Sequence, residues 1–267
     1  MPWTLQLAWA ASSLLAAGSR AAEVTPFESP RIVVLVSADA EWRAVRALLP
    51  RETVSPTPFG EWFLRTVDSS GGRQPVVFFH GGWGKIAAAG STQYAIDRWK
   101  PERLVNLGTC GGFQGATAKG DVVLADKTVV YDIVELMGDS SEAIADYTTD
   151  LGPPRISGDL PKDVRRGTLA SADRDLSPAD LERLRKSYGA IAGDWESGAI
   201  AWVAHRNRVP LLILRGVSDV VGAGGSEAYG NLAAFEEGTR LVMKRLLDDL
   251  PAWLSRWDAS GAAKPVP

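Results

Sequence analysis

Cysteine is nearly absent. The chain of 267 residues holds one, Cys110, so no disulfide can form within it and no pair of thiols can grip a metal or run a redox cycle. Histidine is almost as scarce. His80 and His205 are the only two; they lie far apart and match no metal-ligand spacing, so any Ser-His-Asp or Cys-His system would have to use one of them. His205 sits late in an apolar helical pattern and reads as a last-turn residue rather than a base. We expect no catalytic metal and no cofactor.

Charge of one sign is not concentrated either. With 29 Lys and Arg against 32 Asp and Glu, the net charge is -3, and neither a basic stripe nor a long acidic block interrupts the mixture. That argues against a nucleic-acid surface and for a small neutral-to-anionic ligand. The nucleotide fingerprints are missing as well: Lys85 follows a glycine, but GxxxxGK[ST] spacing is absent, and the glycines after Leu107 fail the GxGxxG rule. No internal repeat is evident.

No apolar run is long enough to span a membrane comfortably. The longest, Leu5 to Ala17, is followed by the small residues Gly18, Ser19, Ala21 and Ala22. This is the pattern of a secretory signal over residues 1–23, cleaved near Ala21 to Glu23, although no Lys or Arg precedes the run. The expected destination is periplasmic or secreted, or cytoplasmic if the segment is not a signal, with no membrane contact after processing.

What the chain does have is alternation. Arg31 to Val36 is an apolar β-branched run that predicts a buried strand, followed by Ser37 to Glu41 and a helix from Trp42 to Leu49. Glu61 to Val67 and Gln74 to Phe79 predict strands, and Ile86 to Trp99 an Ala-rich helix. Arg103 to Leu107 predicts a strand ending in a Gly-rich turn, Gly108 to Gly112, whose amides would form a donor surface. Asp121 to Glu135 reads as one long strand with a covering loop, Met137 to Pro154, and Arg166 to Ala170 as another. A helix from Ala179 to Ser187 is capped by Ser177 and Pro178. Glu196 to Arg206 predicts a helix, Leu211 to Leu214 a strand, and Gly230 to Leu247 a final amphipathic helix. The pattern means one α/β domain over 31–250 with a central sheet between helix layers, and a flexible tail over 258–267.

Acids mark the strand ends. Glu41 and Glu196 open helices, and Asp219 follows a strand, all at the rim where open α/β sheets bind ligands. Each has a plain reading too: helix dipoles favour acids in the first turn, and Asp is common in turns. Cys110 lacks a visible base and a helix start, which argues against a nucleophile.

Five motifs in register resolve the ambiguity. Ala38-Asp39-Ala40-Glu41, Gly82-Trp83-Gly84-Lys85, Gly108-Thr109-Cys110-Gly111-Gly112, Asp194-Trp195-Glu196-Ser197 and Arg215-Gly216-Val217-Ser218-Asp219 together resemble the nucleoside phosphorylase and nucleosidase superfamily. The likeness runs from Arg31 to Leu247 and is greatest to bacterial 5'-methylthioadenosine/S-adenosylhomocysteine nucleosidases. It implies a three-layer α/β/α sandwich with a central mixed sheet, a homodimer, and cleavage of the bond between a purine and C1' of a ribose. By the same resemblance Asp219 donates a proton to purine N7, and Glu41 with Arg215 positions the attacking water. Glu196, kept ionised in the first turn of its helix, clamps the ribose hydroxyls. Thr109, Cys110, Gly111 and Ser218 line the ribose and base, and Trp83 and Trp195 wall the pocket. Those two walls are smaller and aliphatic in the resembled enzymes, and Asp175 stands where they carry an aromatic that stacks on adenine. The competing readings are a phosphate-dependent purine nucleoside phosphorylase and a non-catalytic nucleoside-binding protein.

Overall fold

The computed structural model describes residues 30–70 and 72–259. The signal expected over 1–23 and the tail from 260 onward lie outside them. The elements in order are β1 (Ile32–Val36), α1 (Asp39–Leu48), β2 (Ser55–Pro56), β3 (Glu61–Ser69), β4 (Gly72–His80), α2 (Gly84–Trp99), β5 (Arg103–Phe113), β6 (Val122–Val130) and α3 (Ser140–Asp146). They continue with β7 (Thr148–Asp150), β8 (Arg155–Ile156), β9 (Val164–Ser171), α4 (Pro178–Tyr188), β10 (Ala190–Asp194), α5 (Ser197–Arg206), β11 (Leu211–Gly222), β12 (Gly225–Ser226), α6 (Leu232–Arg256) and β13 (Trp257–Asp258).

A mixed sheet forms the middle layer, and alternate side chains of its strands face opposite helix layers, as the two-residue period of a strand requires. In β1, Ile32, Val34 and Val36 pack with Trp42 and Val45 of α1 and Val242, Met243, Leu246 and Trp253 of α6. Val33 and Leu35 pack the other way, with Ala88, Ala95 and Ile96 of α2 and Ile200, Val203 and Ala204 of α5. All five β1 residues are buried; each such aliphatic side chain is worth roughly 1.5–3 kcal/mol removed from water. The three-layer α/β/α architecture with a central mixed sheet is therefore as expected.

Part of the sheet closes on itself. β11 pairs with both β5, in parallel, and β6, antiparallel, and the path runs on through β9 and β10 back to β5, while β1, β4, β3 and β2 extend from β5 as an open wing. β5 serves both parts, and β11 pairs along most of its length. β5 and β11 accordingly run 11 and 12 residues, whereas the segment expected as the longest strand stops at Val130 after nine.

This closure corrects two readings. The glycines from Gly108 to Gly112 do not turn; they lie inside β5, extended and paired to β11. They are small because neighbours crowd them: a Cβ on Gly108 would overlap Arg215 Nη1 and stand 2.7 Å from Glu41 Oε1. Likewise Asp219 does not follow a strand but sits within β11. The expected strand stopped at Leu214 because Arg215 and Gly216 read as an end to the apolar run, while in the fold β5 continues to pair with them.

Smaller shifts are at element ends. α1 begins at Asp39, three residues early, so Glu41 falls in its first turn; α6 runs on to Arg256 through Pro251; and the loop over 137–154 contains α3 and β7. α4 begins as expected, Pro178 leading and Ser177 Oγ accepting from Ala179 N. Among the described residues no helix is long and apolar enough to cross a membrane.

Candidate active site

Arg215 is the base of the site. It emerges from the middle of β11 and is fully buried, which for an isolated cation would be prohibitive. Three carboxylates surround it: Nε lies 2.9 Å from Asp194 Oδ2, Nη1 3.4 Å from Glu41 Oε1, and Nη2 3.6 Å from Glu196 Oε2. Burial by itself would lower the arginine pKa, but Asp194, Glu41 and Glu196 together hold it above its ordinary value. Nη2 also donates to Asn106 Oδ1 at 3.0 Å and Nε to Ser197 Oγ at 2.9 Å. Every side of the guanidinium is thus tied to β5, β10, α1 or α5.

Each carboxylate is held by its own element. Glu41 accepts at Oε1 from both the amide and the hydroxyl of Thr109, at 2.6 and 2.9 Å, and at Oε2 from Ala38 N at 3.3 Å. Asp194 ends β10 and accepts from Ser197 N, from the Ser197 hydroxyl and, at 2.5 Å, from Ser171 Oγ. Glu196 is the N-cap of α5, one residue before its first turn. Its Oε1 accepts from Gly84 N at 3.1 Å, an approach that Gly84 makes at φ 83°, a left-handed conformation that glycine adopts without strain.

The expectation that the helix start keeps Glu196 ionised does not hold. Burial first, and then the negative charges of Glu41 and Asp194, push its pKa up to about 8 against the opposing pull of Arg215 and the Gly84 amide. One cation cannot neutralise three buried carboxylates, so the group with the longest contact to Arg215 keeps a proton at neutral pH.

Asp219 lies farther along β11, four residues beyond Arg215. The register of β11 against β5 passes from Val217 opposite Cys110 to Asp219 opposite Gly111, leaving Ser218 as an extra residue; such a bulge re-aims the side chain that follows it. Ser218 Oγ donates to Asp219 Oδ1 at 2.7 Å, and the Ser226 hydroxyl, from β12, donates to Oδ2. Tyr229 closes this side, its hydroxyl donating to Leu176 O at 2.8 Å.

These acids share a cavity of about 730 Å³ lined by, among others, Glu41, Trp83, Thr109, Cys110, Gly111, Trp195, Glu196, Ser218 and Asp219. Its size suits a nucleoside-scale ligand. Nine of the ten residues expected at the site therefore share one surface. Arg215 does not; it reaches the cavity only through the carboxylates it holds. Trp83 and Trp195 stack on one another with centroids 4.8 Å apart. Cys110 is buried, and burial followed by the charge of Asp194 raises its thiol well above the ordinary range, so it supplies lining and not a thiolate. Neither histidine is among the cavity's lining residues.

Sequence reasoning missed Asn106, Ser171, Ser226 and Tyr229, and gave Asp194 and Ser197 no role of their own. Asn106 carried a readable signal, one amide in the apolar run RLVNL. Ser226 and Tyr229 carried none, in a stretch of small and polar residues.

Residues 31–250 match the family model of the phosphorylase superfamily. This chain belongs to that superfamily. Among its relatives is the 5'-methylthioadenosine/S-adenosylhomocysteine nucleosidase of Tolumonas auensis, 28% identical over 182 residues, which cover 62% of this chain and 79% of the relative. The nucleosidase of S. pneumoniae solved with a transition-state inhibitor superposes with a TM-score of 0.64 at 22% identity, covering 84% of this chain and 98% of that one. The futalosine hydrolase of Helicobacter pylori superposes equally well, with a TM-score of 0.64 at 17% identity and the same coverage. At those identities the two structures establish the phosphorylase-superfamily fold; the roles of the side chains rest on the geometry above.

Proposed function

We propose that this protein hydrolyses the N-ribosidic bond of a purine nucleoside, releasing the free base and a ribose derivative. The observation that carries the reading is the convergence of acids on one cavity: Glu41 and Glu196, held by buried Arg215, and Asp219, held by two serine hydroxyls. Substrates of the methylthioadenosine and adenosylhomocysteine kind are suggested by the relatives.

As the bond from C1' to the base breaks, positive charge grows on the ribose and negative charge on the purine. Asp219, protonated in the substrate complex, gives its proton to N7, so the base leaves neutral; general acid help of this kind is worth ~10²- to 10⁴-fold. A water beside Glu41 attacks C1' and loses its proton to that carboxylate, which the Thr109 amide and hydroxyl hold in place. Glu196 accepts from the ribose hydroxyls. Arg215 touches neither water nor substrate in this scheme; it is a positioning residue whose charge lets three acids share a buried wall.

Phosphate fits poorly as the nucleophile. The cation beside Glu41 is already engaged by Asp194 and Glu41, and a phosphate dianion would meet Glu41 with like charge. Base release followed by absorbance, with and without phosphate, tests the reading: hydrolysis proceeds at the same rate in both, and strict phosphate dependence refutes it.

We also propose a homodimer. Trp83, Ile86, Val134, Leu136 and Met137 are exposed apolar side chains, and the Lys85–Asp132 ion pair brings their two segments together beside the cavity. Light scattering tests this, a monomer at micromolar concentration being the contrary result. Export, expected from the first 23 residues, is checked by the N-terminal sequence of protein from its native host.

A further inference from the structure

The Arg215 guanidinium divides its donors unevenly. It has five N–H groups, and Nε lies 2.9 Å from both Asp194 Oδ2 and Ser197 Oγ. Nη1 is shared between Glu41 Oε1 and Thr109 O, each at 3.4 Å. Nη2 reaches Asn106 Oδ1 at 3.0 Å and Glu196 Oε2 only at 3.6 Å. A neutral amide, not an acid, therefore holds the nitrogen that faces Glu196.

Asn106 cannot turn away. It is fully buried in β5, and its Nδ2 donates to Leu35 O of β1 at 3.2 Å, which leaves the amide oxygen for Arg215. Asp194 is as firmly placed, its oxygens accepting from Ser171 Oγ at 2.5 Å and from the Ser197 amide and hydroxyl. That hydroxyl joins the two, standing 3.1 Å from Asn106 Oδ1. Glu196 lines the cavity with Oε1 on the Gly84 amide, and its Oε2 makes no hydrogen bond among the described residues. An arginine and a carboxylate left to themselves close into a two-bonded fork, which would occupy the lone pairs that a ribose hydroxyl needs.

We propose that Asn106 and Asp194 are positioning residues which, by engaging Nη2 and Nε, keep Arg215 from closing on Glu196 and leave that acid open to the ribose; this rests on the nucleoside-binding reading above. Their charge matters as much as their bonds. The charged groups acting on Glu196 are Arg215 from β11, Glu41 from α1 and Asp194 from β10. Lys85 of α2, next to Gly84, is engaged by Asp132 and Asp173, and the buried Cys110 thiol of β5 stays neutral. With an acid at 194 and an amide at 106, Glu196 holds its proton up to about pH 8. An amide at 194 frees more of the cation for Glu196 and lowers that limit; an acid at 106 draws the cation away and raises it.

Two readouts test this. The infrared carbonyl band of protonated Glu196, identified by its loss in Glu196→Gln, gives the titration midpoint in the free protein, and KM for methylthioadenosine is followed as a function of pH. Asp194→Asn moves the midpoint to lower pH by about one unit or more, the order that one neighbouring charge carries. It also raises KM on the alkaline plateau more than it lowers kcat, as Arg215 closes on Glu196. Asn106→Asp moves the midpoint to higher pH. The exchange variant, Asp194→Asn with Asn106→Asp, has the charge count of wild type and returns the midpoint toward the wild-type value. Purely structural roles would not give opposed shifts that cancel. Midpoints that stay in place, or move the same way in both single variants, overturn the proposal. Thermal melting establishes that the variants fold; should one single variant not fold, the other and the exchange variant decide by the same signs. If methylthioadenosine is not cleaved, the hydrolase reading fails on its own, and the titration of the free protein still decides.

Discussion

Glu196 Oε2 stands 3.6 Å from Arg215 Nη2, while Asp194 and Glu41 approach the same guanidinium more closely. Glu196 is therefore the acid least compensated by the cation, and its pKa of about 8 follows from burial and from those two neighbours. Below that pH the folded protein holds a proton on Glu196 that an unfolded chain would have lost above its ordinary carboxylate range.

Two consequences have definite signs. The folded state binds more protons than the unfolded state between the ordinary Glu range and about pH 8, so the contribution of Glu196 to stability falls as pH rises through that window and levels off above it. Ribose hydroxyls that need an ionised acceptor bind the deprotonated form, so affinity for a substrate analogue improves up to about tenfold per pH unit below 8 and is flat above. Calorimetry in buffers of different ionisation enthalpy detects about one proton released per analogue bound at pH 7. In Glu196→Gln both the release and the pH dependence of affinity disappear.

Asp219→Asn removes the transferable proton and keeps the shape. We expect kcat to fall by at least ~10²-fold with the melting temperature little changed, since the Asn oxygen still accepts from one of the Ser218 and Ser226 hydroxyls while its NH2 donates to the oxygen of the other. Ser226→Ala, which removes one of those hydroxyls, lowers kcat less and leaves KM near its original value. Steady-state kinetics on both variants check this; undiminished turnover in Asp219→Asn contradicts the assigned acid.

Arg215→Met leaves three buried acids without the cation that faces them. Breaking a buried ion pair from one side costs about 3–5 kcal/mol, and here the remaining acids must take up protons. The expected result is a large fall in melting temperature at neutral pH, partly recovered at acid pH as the carboxylates protonate. A melting curve equally depressed at both pH values runs against the account.

Gly108→Ala places a methyl group against Arg215 Nη1 and Glu41 Oε1. Overpacking of this sort costs about 1–3 kcal/mol, and here the strain falls on the carboxylate proposed to hold the water. Melting temperature and kcat both drop, while Gly115→Ala, at a position with nothing within 4 Å but φ 84°, loses stability with kcat intact.

The layered fold was legible because short apolar, β-branched runs are interspersed with Ala-rich and amphipathic helical stretches along the chain, and α4 was placed to within a residue by Ser177 and Pro178. The site was legible as residue types, since Glu41, Glu196 and Asp219 each belong to a recognisable motif. The depth of the site was not. A cation such as Arg215 looks like a strand terminator until the fold surrounds it with Asp194, Glu41 and Glu196, partners 21, 174 and 19 positions away in sequence. For the same reason the protonation of Glu196 could not be read locally: its helix position argues for ionisation, and only the three-acid cluster outweighs it. Ser226 and Tyr229 reach the cavity through β12 and the loop beyond it, where composition signals a turn and nothing else.

The account stands on water as the nucleophile beside Glu41. Incubating the protein with a purine nucleoside in phosphate buffer and weighing the sugar product by mass spectrometry tests that directly. The predicted product is the free reducing sugar alongside the base; a sugar 1-phosphate, or a nucleoside left intact, contradicts it.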